Sequence, residues 1–143
     1  MRRPALFLAL AFAFAALAHA GEPSGARAAT VDLYDRMSAG DLRGVARYVP
    51  AAGFTELDGD AVAPHRIDRS AFEGLFKSGA RVALRASDLR EQPLGDVVVV
   101  TGVRIGAIGP AAEATTPFTM VWQRDGQGWT LRHVHLSSSS PSR

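Results

Sequence analysis

The sequence predicts an α+β domain, a cone-shaped curved antiparallel sheet packed on three helices. Two observations carry this. In the N-terminal half the apolar residues fall at helical spacing, and after about residue 80 they switch to strand-like alternation. A third narrows the choice: no cysteine is present, so nothing can staple the fold and it must bury an ordinary core. Helices gathered on one face of a curved sheet bury both apolar surfaces, and the mouth of such a cone is the default pocket.

Residues 1–20 read as a secretory signal peptide. Arg2 and Arg3 make a positive start, residues 5–17 are an unbroken apolar run, and Ala18-His19-Ala20 gives the small-x-small pattern of a cleavage site. The run falls short of the roughly 20 residues a permanent anchor needs. No cysteine follows it, which excludes a lipoprotein anchor. The mature chain is expected to be exported by the general secretory route, periplasmic or secreted, with no membrane association after cleavage.

Residues 21–26, rich in Gly, Pro and Ser, are expected to be a linker, and residues 27–137 the domain. From Arg27, Val31, Tyr34 and Met37 with Leu33 predict a first helix, which Gly40 stops. Asp41 caps a second over 41–48, with Leu42, Val45 and Val49 apolar, and Pro50 prevents its continuation. Residues 54–57 form a short strand running into the Asp58-Gly59 turn. Beyond an irregular stretch containing Pro64, Asp68 caps a third helix whose face is Ala71, Phe72, Leu75 and Phe76, closed by Gly79.

Val82, Leu84 and Ala86 then alternate with polar residues as in a half-buried strand. Residues 97–108 are a strong β run, and Gly102 and Gly106 within it and Gly109 just after it are expected to mark bulges or twist. Residues 117–124 and 129–137 form a last hairpin turning at 125–128. The low-complexity tail, 138–143, is expected to be disordered.

The charge excludes several functions. Residues 1–20 hold two of the 16 basic side chains and no acid, so 14 basic face 14 acidic residues in the mature chain. Those charges are interspersed, without the basic stripe that nucleic acid requires. The absence of cysteine also removes thiolate nucleophiles, Cys-ligated zinc and iron–sulfur clusters. No strand-to-helix glycine loop with a following lysine exists for phosphates, and no serine has a Ser-His-Asp setting. No cofactor is expected.

Leu33-Tyr34 through Ala39-Gly40-Asp41-Leu42, Gly53-Phe54-Thr55-Glu56-Leu57, and Val121-Trp122-Gln123-Arg124-Asp125-Gly126 with Trp129 and His133-Val134-His135-Leu136-Ser137 cover most of the mature chain. Together they resemble the nuclear transport factor two-like superfamily, which includes SnoaL-like polyketide cyclases and ketosteroid isomerases. The last hairpin is similar to the association (hub) domain of calcium/calmodulin-dependent kinase. The resemblance implies a cystatin-like α+β barrel, and the superfamily's functions are too mixed for the fold to name one.

The resemblance also allows the isomerase chemistry to be tested by position. Leu33 falls where that enzyme has its tyrosine, with Tyr34 one residue off. Met120 falls at the protonated acidic donor, and the base position falls near Leu57, flanked by Glu56 and Asp58. Two of three roles are held by residues unable to perform them, so steroid-type isomerisation is rejected. The hub domain's two pocket arginines fall on Met120 and Leu136, whereas His65-Arg66 lies near its pocket His-Arg pair.

Candidate residues follow. Strand parity puts His133 and His135 on one face with Trp129 and Leu131, where two imidazoles could chelate a metal if a third ligand arrived. The simpler reading is a sheet signature, and no metal is expected. The opposite parity carries Arg132 and Val134, a face that the resemblance places toward the cone, where Arg132 either holds a carboxylate or phosphate or pairs with Glu56 or another acid. Glu56 or His65 is the candidate general base, if burial raises the glutamate. Tyr34, Phe54, Met120 and Trp122 complete the expected lining, or fill the core.

The expected function is a non-catalytic, exported domain binding a small apolar or weakly anionic molecule. It is expected to be a homodimer, because a sheet face bearing Trp129, Leu131 and His133 needs covering. The alternatives are a SnoaL-like cyclase, isomerase or hydratase using Glu56 or His65, and a homo-oligomeric assembly module.

Overall fold

The structure, a computed structural model, describes residues 25–126 and 128–138. Residues 1–20, expected to be a signal peptide, residues 21–24 of the expected linker and residues 139–143 of the expected tail lie outside the described residues.

Helix α1 (Gly25–Ser38) buries Ala26, Ala29, Thr30, Leu33 and Tyr34, a spacing of three and four that makes one continuous stripe. It starts two residues before the expected boundary. Gly25 sits so close to the Trp129 indole that an added Cβ would lie 2.7 Å from Nε1, and the fully buried Ala26 follows it into the core. Thr30 caps its own burial by donating to the Ala26 carbonyl at 2.9 Å. The helix ends where Gly40 takes φ 65°.

Helix α2 is only Leu42–Val45, shorter than the eight residues expected. Asp41 caps it, accepting from the Gly44 N–H at 2.9 Å, and the same carboxylate accepts from Arg36 Nη1 at 3.0 Å. These two bonds hold the Asp41 carboxyl below its ordinary range. Tyr48 donates to Asp32 at 2.7 Å, and burial with that bond pushes its phenol up to about 12. Helix α3 (Arg69–Lys77) begins at its expected cap, with Asp68 accepting from the Ala71 N–H at 3.1 Å, and buries Phe72.

The strands are β1 (Phe54–Asp58), β2 (His65–Ile67), β3 (Val82–Leu94), β4 (Val97–Ile108), β5 (Ala114–Asp125) and β6 (Gly128–Leu136). They form one six-stranded sheet in the order β2-β1-β6-β5-β4-β3. It is curved and unclosed, and three helices accompany it, so the architecture is the expected α+β one. β3 to β6 are an antiparallel meander. β1 joins β6 in parallel, Glu56 opposite Val134, which departs from an all-antiparallel sheet. No hairpin links these two strands, so no turn fixes their relative direction.

Three further strand features differ from expectation. β2 is three residues of exposed or half-exposed chain paired with β1, and β3 continues to Leu94 instead of stopping near Ala86. The third matters most for the site. Val121 pairs with His133 but Trp122 pairs with Leu131, so Arg132 is an extra residue, a β-bulge. The bulge reverses the alternation along β6. Trp129 and Leu131 before it and Val134 and Leu136 after it are all buried on the inner face. His133 and His135 are left half-buried on the other.

The core lies between this inner face and the helices. Trp122 is fully buried with Tyr48 edge-on at 5.7 Å, and Tyr34 meets Phe118 edge-on at 6.0 Å. Among the described residues no helix is long and apolar enough to cross a membrane.

Candidate functional site: the cone cavity

The concave side of the sheet is not completely filled. A cavity of about 270 Å³ lies between it, α1 and α3. Leu33, Tyr34 and Met37 face it from the stripe of α1, and Ala71, Phe72 and Leu75 from the amphipathic face of α3. Phe54, Glu56 and Asp58 of β1 alternate into it, as period two requires. Ile67, Ile108, Met120, Leu131, Val134 and Leu136 supply apolar wall, and Arg104 enters from β4.

Of the expected lining residues, Tyr34, Phe54, Glu56, Met120 and Val134 are on this wall. His65, Trp122 and Arg132 are not. Strand β2 lies outside β1, so His65 is half exposed behind Glu56, its Nε2 3.5 Å from Glu56 Oε1. Trp122 is sealed in the core against Tyr48. Arg132, carried outward by the bulge, is exposed and donates through Nε to Gln123 Oε1 at 2.8 Å. The cationic role assigned to it has no basis in the fold.

The bulge also changes the two histidines' company. His133 Nδ1 lies 2.8 Å from Thr55 Oγ1 on the outer face. Among the described residues no group of three or more His, Asp and Glu is placed to hold a metal ion.

The cation that does reach the cavity is Arg104. It is half-buried, with Ala86 and Thr116 as its cross-strand neighbours, and it makes no hydrogen bond or ion pair with any described residue. The sequence contains the signal for it. Counting by twos from the inward Val98 and Val100 passes through Gly102 to Arg104 on the same face.

Four polar side chains, Tyr34, Glu56 and Arg104 within and Asp58 at the exposed rim, therefore share an otherwise apolar chamber. Burial pushes the Glu56 carboxyl up and the Asp58 charge adds to this, while His65 and Arg104 oppose it. Burial also raises the Tyr34 phenol far above its ordinary range, with Arg104 opposing and Glu56 adding. Tyr34 is thus a neutral donor at any physiological pH. Glu56 is a carboxyl that takes a proton more readily than a surface glutamate does.

No protein-family model and no curated protein matches the chain by sequence. Solved structures match it by shape. An NTF2-like protein from Cytophaga hutchinsonii has 13% identity and a TM-score of 0.69, covering 83% of this chain and 99% of its own. The fold is NTF2-like. The hub of CaMKII from S. rosetta has 21% identity and a TM-score of 0.64 over 84% of this chain and 98% of that one. An NTF2-like family protein from Streptomyces avermitilis, proposed to be a dehydratase, has 17% identity and a TM-score of 0.62 over 80% and 93%. NTF2-like structures thus include a hub as well as a proposed enzyme, and identities this low speak to fold alone.

Proposed function

We propose that this protein is an exported, non-catalytic domain that binds one small apolar or weakly anionic molecule in its cone cavity. The observation that carries the reading is the chamber itself: enclosed by apolar side chains on three sides, with a few polar groups converging on it. The weakly anionic character rests on Arg104, in place of Arg132. The non-catalytic character rests on Met120, an apolar residue where the isomerase resemblance asks for a protonated acid.

The mature protein is proposed to begin after Ala20 and to be a homodimer. The outer sheet face supports the second point with different residues from those first expected. Val99, Val121 and His133 are register neighbours across three strands and are half-buried, as is His135 beyond them. Such a face suits a second copy of the chain, and the hub among the structural neighbours is consistent with assembly.

A second reading is favoured by one observation, the raised Glu56 carboxyl beside the Tyr34 hydroxyl. In that reading Glu56 is a general base in a SnoaL-like reaction, with His65 acting on Glu56 from outside the wall.

Native mass spectrometry of the protein recovered from the exported fraction of its producing cell tests the proposal. The expected spectrum is a dimer of chains starting at Gly21, carrying an added mass of a few hundred daltons per subunit. A protein that is always free of ligand, and shows no affinity for any apolar probe, contradicts it.

A further inference from the structure

The charges around the cavity do not balance once an anion enters it. Empty, the chamber holds Glu56 and Arg104, one of each sign, while Asp58 sits at its exposed rim. A ligand carboxylate brings a second negative charge into apolar surroundings. Two carboxylates in such a place share a proton rather than both ionise. Arg104 is free to meet the anion, since no described residue bonds its guanidinium.

We propose, resting on the binding reading above, that the cavity takes up an apolar monocarboxylate together with one proton. Arg104 holds the ligand carboxylate through its paired N–H groups, and protonated Glu56 donates the remaining hydrogen bond. The proton comes from solvent and stays on Glu56, so no covalent step is involved. The charged and titratable groups that face Glu56 are Tyr34 from α1, Asp58 on its own strand, His65 from β2 and Arg104 from β4. From α3 and β6 the chamber receives only apolar side chains, Phe72, Leu75 and Val134 among them.

Burial already raises the Glu56 carboxyl, and Glu56 is on the chamber wall where the ligand carboxylate would meet it, whereas His65 is not. A cavity of about 270 Å³ is at the small end of ligand-pocket volumes, which suits a small acid. The sign follows from linkage. Binding takes up a proton, so affinity falls as pH rises, by up to about tenfold per pH unit while Glu56 is ionised free and protonated bound.

Titration calorimetry with octanoate and, in parallel, neutral 1-octanol tests this from about pH 6 to about pH 8.5, a range in which octanoate stays ionised. Octanoate affinity is expected to fall about tenfold or more across the range while octanol affinity does not change. Glu56→Gln, which donates without a proton, is expected to flatten the octanoate profile and raise affinity at the alkaline end. Arg104→Met is expected to weaken octanoate about tenfold and spare octanol. His65→Gln separates the remaining titrating group, and it is expected to keep the slope.

A wild-type octanoate profile independent of pH overturns the proposal. So does a slope that survives Glu56→Gln but disappears in His65→Gln. Octanol binding without octanoate binding at any pH overturns the carboxylate assignment and leaves the cavity reading standing. Failure of both probes removes the cavity reading itself.

Discussion

Trp122→Ala is expected to cost about 3–5 kcal/mol of folding stability, read by urea denaturation of the mature protein, whereas Trp122→Phe should cost far less. Trp122 has no exposed surface, lies opposite Val98 on β4 and Leu131 on β6, and takes the Tyr48 ring edge-on. Truncation to alanine opens a cavity where three strands and the α2 region meet. The indole Nε1 is buried without a hydrogen-bond partner among the described residues. Phenylalanine therefore gives up part of the packing but loses no hydrogen bond, and it removes an unsatisfied donor. Equal losses for the two variants would mean that the indole N–H has a partner, such as an ordered water.

Gly106→Ala is expected to be nearly as severe, at roughly 3 kcal/mol or more, or to prevent folding. Gly106 has φ 142°, and a Cβ there would be driven into the Ala83 carbonyl oxygen of the neighbouring strand. That oxygen is backbone in a paired strand, so relief requires β3 and β4 to part beside the cavity's Arg104 and Ile108. Gly109→Ala is the matched control. It also has positive φ, at 65°, but nothing lies within 4 Å of its added Cβ. Its cost should be only the left-handed backbone penalty of about 1–2 kcal/mol. Thermal melts of the two variants side by side make the comparison, and similar losses would contradict the steric account.

Periodicity made most of the fold legible. The Asp41 and Asp68 caps and the switch to alternation at Val82 lie where the chain's own pattern puts them. Of the expected α1 face, Leu33 and Tyr34 are buried, but the stripe continues through Ala26, Ala29 and Thr30 and leaves Val31 exposed. β2 was not legible, because His65-Arg66-Ile67 is short and mostly exposed and carries no alternation. β3 beyond Ala86 was hidden by Pro93 and by the bulge between Ser87 and Arg90, where Asp88 takes φ 54°. Both are edge strands, which need less apolar character than central ones.

The site was half legible for the same reason. Tyr34, Phe54, Glu56 and Met120 are on stretches of helix and strand that no bulge interrupts, and Val134 lies just beyond the bulge on the face that the resemblance turned inward. Arg132 was misplaced because parity was counted across a bulge that leaves no mark in the sequence. Its error moved Trp129 and Leu131 to the wrong face along with it, and with them the first argument for a dimer. Arg104, on an uninterrupted stretch of β4, obeys the simple count. It was missed because a basic residue four positions after a valine run reads as solvated surface.

The account turns on the cavity being a site that a small molecule enters. Amide chemical-shift mapping of the mature protein with octanoate at about pH 6 tests this directly, alongside an Ala71→Trp variant that fills the chamber from α3. The account predicts shifts confined to the wall residues of α1, α3, β1 and β4, lost in the variant although its spectrum remains folded. Shifts elsewhere on the surface, or undiminished binding by the variant, would contradict it.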